Sequence, residues 1–162
     1  MIKRLILIAV LTYVFFILEF MLNGTLGVWA KPELLLLLVV FWGLYSGVRY
    51  SIVAAVIGGL LKDTFSILPF GTYLFIFIAA AYLTVLVRRT LYQPGSRFSR
   101  AVVVFFVLIG CFIVEMILYL MHHNVRLGDV FFNIPLPQVV TTMVVVTFVF
   151  HWLRDAAVWL KV

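Results

Sequence analysis

Leu34-Leu35-Leu36-Leu37-Leu38-Val39-Val40-Phe41-Trp42-Gly43-Leu44-Tyr45 is one unbroken apolar run, Tyr50–Leu61 is a second, and Ser46-Gly47-Val48-Arg49 lies between them. As a helix rising 1.5 Å per residue, either run reaches only about 18 Å. A bilayer core is roughly 30 Å thick and takes about 20 helical residues to cross. The stretch is therefore either one long helix or two short helices joined by a tight turn. The choice decides on which side of a membrane everything downstream must lie.

Charge discriminates between the two. With two helices, one side collects Lys3, Arg4, Arg49, Arg88, Arg89, Arg97, Arg100, Arg154 and Lys161, and the other only Lys31, Lys62 and Arg126. Joining the runs into one helix reverses the downstream segments, removes this asymmetry and strands Arg49 in mid-membrane. Basic residues gather on the cytoplasmic side, and an arginine at the bilayer centre is costly. The reading is two helices, with both chain termini in the cytoplasm.

Working outward, Leu5–Leu22, Gly71–Val87, Ala101–Met121 and Gln138–Leu153 are apolar runs of spanning length. Composition agrees: 66% of the 162 residues are apolar and 11% charged, against about a quarter charged in soluble proteins. Met1-Ile2-Lys3-Arg4 before the first run resembles a signal peptide, but Glu19–Ala30 offers no small-x-small cleavage site, so a retained signal anchor is expected. The net charge of +6 belongs to topology and anionic lipid rather than nucleic acid. Cys111, the single cysteine, reads as a small buried hydrophobe. The turn Tyr92-Gln93-Pro94-Gly95-Ser96 joins two spans at the cytoplasmic surface, and Pro135 and Pro137 suit the start of the last helix.

The expected fold is all-α: a polytopic membrane bundle of about six helices in a single integral membrane domain, with spans near 5–22, 33–46, 50–62, 71–87, 101–121 and 137–153. Short elements at membrane depth are tolerated where protein surrounds them, so the two short helices belong in the middle. Gly43-x-x-x-Gly47 and Gly58-Gly59 are small enough for close helix contact, although glycines are common in membrane helices in any case.

Seven polar positions need explanation. Lys62-Asp63 reads either as a polar anchor or as an ordinary interfacial pair where a helix emerges, the latter being the cheaper arrangement. Glu33 after Pro32 reads as a plain helix start, favoured by the helix dipole. Glu19 and Glu115 lie inside apolar runs, where carboxylates are functional candidates by default. Glu115, Tyr119 and His122 share one helix face at i, i+4 and i+7. That face suits an interhelical hydrogen-bond seam, a proton path or a metal site. No metal-ligand spacing of the H-x-x-E-H kind supports a metal, and none is expected.

Three segments together carry a resemblance: Lys31-Pro32-Glu33-Leu34-Leu35-Leu36-Leu37; Gly58-Gly59-Leu60-Leu61-Lys62-Asp63; and Leu68-Pro69-Phe70-Gly71. Their order and spacing resemble the rod shape-determining MreD family, which shows a Pro with a polar residue before a Leu-rich run, then G-x-x-x-D, then a Gly. Gly59 and Asp63 supply the G-x-x-x-D and Gly71 the later glycine. The motif covers about a third of the chain. Two residues depart from the pattern: Lys62 stands where the family usually carries an apolar residue, and Glu19 near where a neutral polar one is expected.

The resemblance implies a non-enzymatic, cofactor-free scaffold or regulator of the cell-elongation machinery in the bacterial cytoplasmic membrane. It would bind the membrane helix of MreC and act with MreB, RodA and its partner transpeptidase in side-wall peptidoglycan synthesis. Pro32, Glu33, Gly58, Gly59, Asp63 and Gly71 are then the candidate partner-binding or structural positions. The family is also similar in fold to the substrate-binding subunits of energy-coupling-factor vitamin transporters, which is the alternative function. An intramembrane enzyme resting on Glu115 and His122 lacks any G-x-S-x-G, Walker A or G-x-G-x-x-G motif to support it.

Overall fold

The computed structural model describes residues 2–26, 32–66, 69–91, 97–122 and 135–159. Among them are six α-helices: α1 (Ile2–Leu26), α2 (Leu34–Tyr45), α3 (Val48–Thr64), α4 (Thr72–Leu91), α5 (Arg97–His122) and α6 (Pro135–Trp159). Leu5–Leu22, Thr72–Thr90 and Ala101–Leu118 are long and apolar enough to cross a membrane, and Leu34–Tyr45 and Val140–Leu153 are shorter apolar stretches.

The decisive stretch folds as two helices. The N–H groups of Ser46 and Gly47 both donate to the Trp42 carbonyl and close α2. Gly47 then takes φ +91° and ψ 179°, a region essentially reserved for glycine, and the chain turns back into α3. The return is antiparallel: the Ser51 hydroxyl donates to the Val39 carbonyl at 2.8 Å, and Lys62 at the end of α3 reaches Glu33 at the start of α2.

Helix α2 sits at the centre. Leu34 to Leu44 are all buried, the pattern of a helix enclosed on every side. The other five form a ring around it. α3 packs on α1 and α4, α4 on α5, and α5 on α6. α6 meets α1 through Phe15 and Trp152, whose rings lie 6.1 Å apart. Glycine permits a close approach of α4 at Gly43, where a Cβ would stand 2.8 Å from the Thr84 methyl. At this end Arg88 donates to the Gly43 carbonyl at 3.3 Å, a cation on the C-terminal turn of α2 as the helix dipole favours.

The second short helix is placed differently. α3 turns Ser51, Ala54, Ala55, Gly58, Gly59 and Asp63 inward, but as a ring member it keeps an outer strip. The remaining ring helices also present apolar ridges outward: Ile6, Val10, Tyr13 and Met21 on α1, Phe75, Tyr82 and Leu86 on α4, and Val144 and Phe148 on α6 are all exposed. Apolar surface on that scale belongs against lipid or protein rather than water.

Candidate functional site

Because the helices alternate in direction, the end of α1, the start of α2, the end of α3, the start of α4 and the end of α5 meet at one end of the bundle, opposite the chain termini. Among the described residues, Glu19, Glu33, Lys62, Asp63, Tyr73 and Glu115 come together there. On α1, Ile8, Thr12, Phe15 and Glu19 form the inward seam at i, i+4, i+7 and i+11. Glu19 is the polar end of an otherwise apolar or self-bonded stripe, since the Thr12 hydroxyl turns back to the Ile8 carbonyl.

The Lys62 ammonium lies 2.7 Å from Glu33 Oε1 and 3.2 Å from Glu19 Oε1. The ammonium also stands 4.6 Å from the centre of the Tyr73 ring, a cation–π contact. Glu19 accepts the Leu35 N–H at 2.9 Å, so a carboxylate from α1 satisfies one of the otherwise unpaired donors in the first turn of α2. The Glu33 N–H donates to the Thr142 hydroxyl of α6 at 3.1 Å. One lysine thus ties three helices, and the start of α2 is bonded from α1, α3 and α6.

Two sequence expectations are corrected here. Lys62-Asp63 is not an interfacial pair: Asp63 is buried and the Lys62 side chain is only 17% exposed. Glu33 is not a plain helix start either, because its carboxylate makes no cap bond and serves Lys62 instead. The physical reason is the same in both cases. The hairpin brings the end of α3 beside the start of α2, and a charge in that position is cheaper paired than exposed to an apolar surround.

Asp63 has a separate task. Its carboxylate accepts the N–H groups of Gly71 (3.0 Å), Tyr73 (2.9 Å) and Leu74 (3.1 Å). The Thr72 N–H goes to the Pro69 carbonyl and that of Phe75 to Gly71. Every donor at the start of α4 is therefore accounted for. Gly59, one turn earlier on α3, makes this possible. A Cβ there would stand 2.6 Å from the Leu74 Cα and 3.0 Å from its nitrogen. The G-x-x-x-D pattern thus has a mechanical meaning: glycine lets the backbones of α3 and α4 touch, and the aspartate at i+4 then reaches the amides. Gly71 takes φ +99° in the connecting turn. Gly58 is less constrained, with Phe77 and Thr12 carbons at 3.4 and 3.5 Å from a Cβ built there. Pro32 is buried just before Glu33, its carbonyl accepting the Leu34 N–H.

Glu115 takes its partner from another helix. The Tyr73 hydroxyl donates to Glu115 Oε1 at 3.1 Å, linking α5 to the same end of α4. The side chains of Tyr119 and His122 lie outside the described residues. Tyr73 and Thr142 carried no signal in the sequence; each is an ordinary residue of an apolar helix until the ring order is known.

The two residues that depart from the resemblance are bonded to each other: Glu19 and Lys62 form one ion pair. An extra ammonium in the bundle is met by an extra carboxylate, which is why both can be present. Chemically the constellation is a charge knot joining α1, α2, α3, α4 and α5, in which the lysine, the aspartate and the glutamates each meet a partner within the bundle. Among the described residues no group of three His, Cys, Asp or Glu is placed to hold a metal ion.

Comparison with known proteins agrees with the motif. No curated protein matches the chain, and no solved structure does. The sequence profile described as rod shape-determining protein MreD matches residues 1–156. The chain therefore belongs to the MreD family of rod shape-determining proteins.

Proposed function

We propose that this protein is a non-enzymatic scaffold and regulator of the rod complex, a single multi-pass domain of the bacterial cytoplasmic membrane with both termini in the cytoplasm. It binds the membrane helix of MreC and supports side-wall peptidoglycan synthesis by RodA and its partner transpeptidase, in concert with MreB. The observation that carries this reading is the family match over residues 1–156.

The architecture supports it. The buried charges at the end opposite the termini are bonded within the bundle, while the outside of the ring is apolar, as docking to another membrane helix requires. Arg49 and Arg89 are exposed at the end that carries the termini, in keeping with a cytoplasmic placement and with binding of anionic lipid. The test is depletion in the native bacterium, followed by microscopy. Cells should widen and round, with rescue by the intact gene. Unchanged shape on depletion overturns the proposal.

A further inference from the structure

Arg49 and Lys62 stand near opposite ends of α3. A helix with a cation at each end takes no direction from the preference of basic residues for the cytoplasmic side. Its apolarity is weak as well. Tyr50–Leu61 is only twelve residues long, against about 20 for a bilayer core. Ser51, Ala54, Ala55, Gly58 and Gly59 lie within it and offer lipid little apolar surface. By length and composition α3 is not among the helices suited to crossing a membrane, nor among the shorter apolar ones, where its hairpin partner α2 belongs. Yet α3 runs antiparallel beside α2 and packs on α1 and α4.

What holds it there comes from its neighbours. The same small residues are turned inward, and Gly59 lies against the Leu74 backbone, so positions that gain little from lipid gain close contact with protein. The two residues at the far end are gripped from both directions along the chain. Glu19 and Glu33 precede Lys62, on α1 and just before α2, and their carboxylates lie 3.2 and 2.7 Å from its ammonium. The amides of Gly71, Tyr73 and Leu74 follow Asp63 and all donate to its carboxylate.

We propose that α3 is a conditional transmembrane helix: the carboxylates of Glu19 and Glu33, acting on Lys62, decide that it crosses, and Asp63 at the start of α4 then holds the crossing. The inference rests on the cytoplasmic placement of the termini given above. Without the two carboxylates, Lys62 is an uncompensated cation at the outer end of a weakly apolar helix. The positive-inside preference then draws that end back. The chain keeps α2 as a span and leaves the α3–α4 connection on the side of the termini. The ion pairs are in this way determinants of topology as well as of stability.

The experiment is cysteine labelling of the full chain in spheroplasts of the native bacterium, with a membrane-impermeant maleimide. The buried Cys111 is replaced by alanine, and Phe70→Cys supplies a reporter in the α3–α4 connection, where Phe70 is exposed. The readout is the labelled fraction of the protein present in the membrane, so degraded protein does not enter it. With the ion pairs intact, the reporter should label from outside. Glu19→Gln with Glu33→Gln keeps an acceptor for the Leu35 N–H but should lose outside labelling and regain it on permeabilisation. Glu19→Gln alone should lose part of it. Adding Lys62→Met to the pair should restore outside labelling, because no cation then lacks a partner. Undiminished outside labelling in the double variant overturns the proposal. A loss that Lys62→Met leaves in place overturns it too, since the cause is then general misfolding rather than an unpaired lysine. A reporter that labels only after permeabilisation while the ion pairs are intact overturns the cytoplasmic placement of the termini and this inference with it.

Discussion

Lys62 stands 29 residues beyond Glu33 in the chain, yet its ammonium lies 2.7 Å from the Glu33 carboxylate and 3.2 Å from that of Glu19. Removing one partner from a buried ion pair leaves an uncompensated charge, at a cost of about 3–5 kcal/mol. Lys62→Met should therefore lower the unfolding free energy in bicelles by about 3 kcal/mol, at the low end of that range because the lysine keeps some exposure. Adding Glu19→Gln and Glu33→Gln should recover part of the loss, since neutral amides do not demand a counter-charge. Additive losses in the triple variant would refute the charge knot.

Asp63 satisfies three amides at the start of α4. Loss of a capping carboxylate costs about 1–2 kcal/mol, so Asp63→Ala should destabilise by about 2 kcal/mol and Asp63→Asn by roughly half of that. Amide hydrogen exchange at Gly71, Tyr73 and Leu74 should speed up in the alanine variant before the rest of α4 is affected.

Neighbouring glycines should behave oppositely. Gly59→Ala forces a methyl against the Leu74 backbone at 2.6 Å, and overpacking of this kind costs about 1–3 kcal/mol. Gly58→Ala meets only Phe77 and Thr12 carbons at van der Waals distance and should be neutral or stabilising by up to about 1 kcal/mol, since glycine is the poorer helix former. Thermal unfolding in detergent distinguishes the two. Equal effects would show that α3 and α4 do not touch at Gly59.

The Tyr73–Glu115 hydrogen bond should contribute little beyond packing. A double-mutant cycle with Tyr73→Phe and Glu115→Gln should give a coupling of about 0.6 kcal/mol, the average for interhelical hydrogen bonds in membranes. Cell shape should survive both substitutions. Loss of rod shape with intact folding would assign Glu115 a role that a seam does not explain.

Much of this was legible beforehand because it is one-dimensional. The length of an apolar run and the distribution of lysine and arginine along the chain suffice to place helices and alternate them. The Leu34–Leu61 stretch shows this best: its charge pattern called for a hairpin, and Gly47 provides the turn. The G-x-x-x-D pattern was legible as a pattern but not as a mechanism, because nothing in the spacing of Gly59 and Asp63 says that α4 begins against them.

The sequence by itself determined a helical membrane bundle and the places of its apolar helices, because burial in lipid is decided residue by residue along each run. Only the tertiary structure decided which polar residues meet. Glu19, Glu33 and Lys62 each looked like a local feature, respectively an intramembrane carboxylate, a helix start and an interfacial base. Their pairing depends on the rotation of each helix about its axis and on the order of the ring, and those are set by packing around α2. The same physics separated the two short helices, enclosing α2 completely and leaving α3 with one uncovered face.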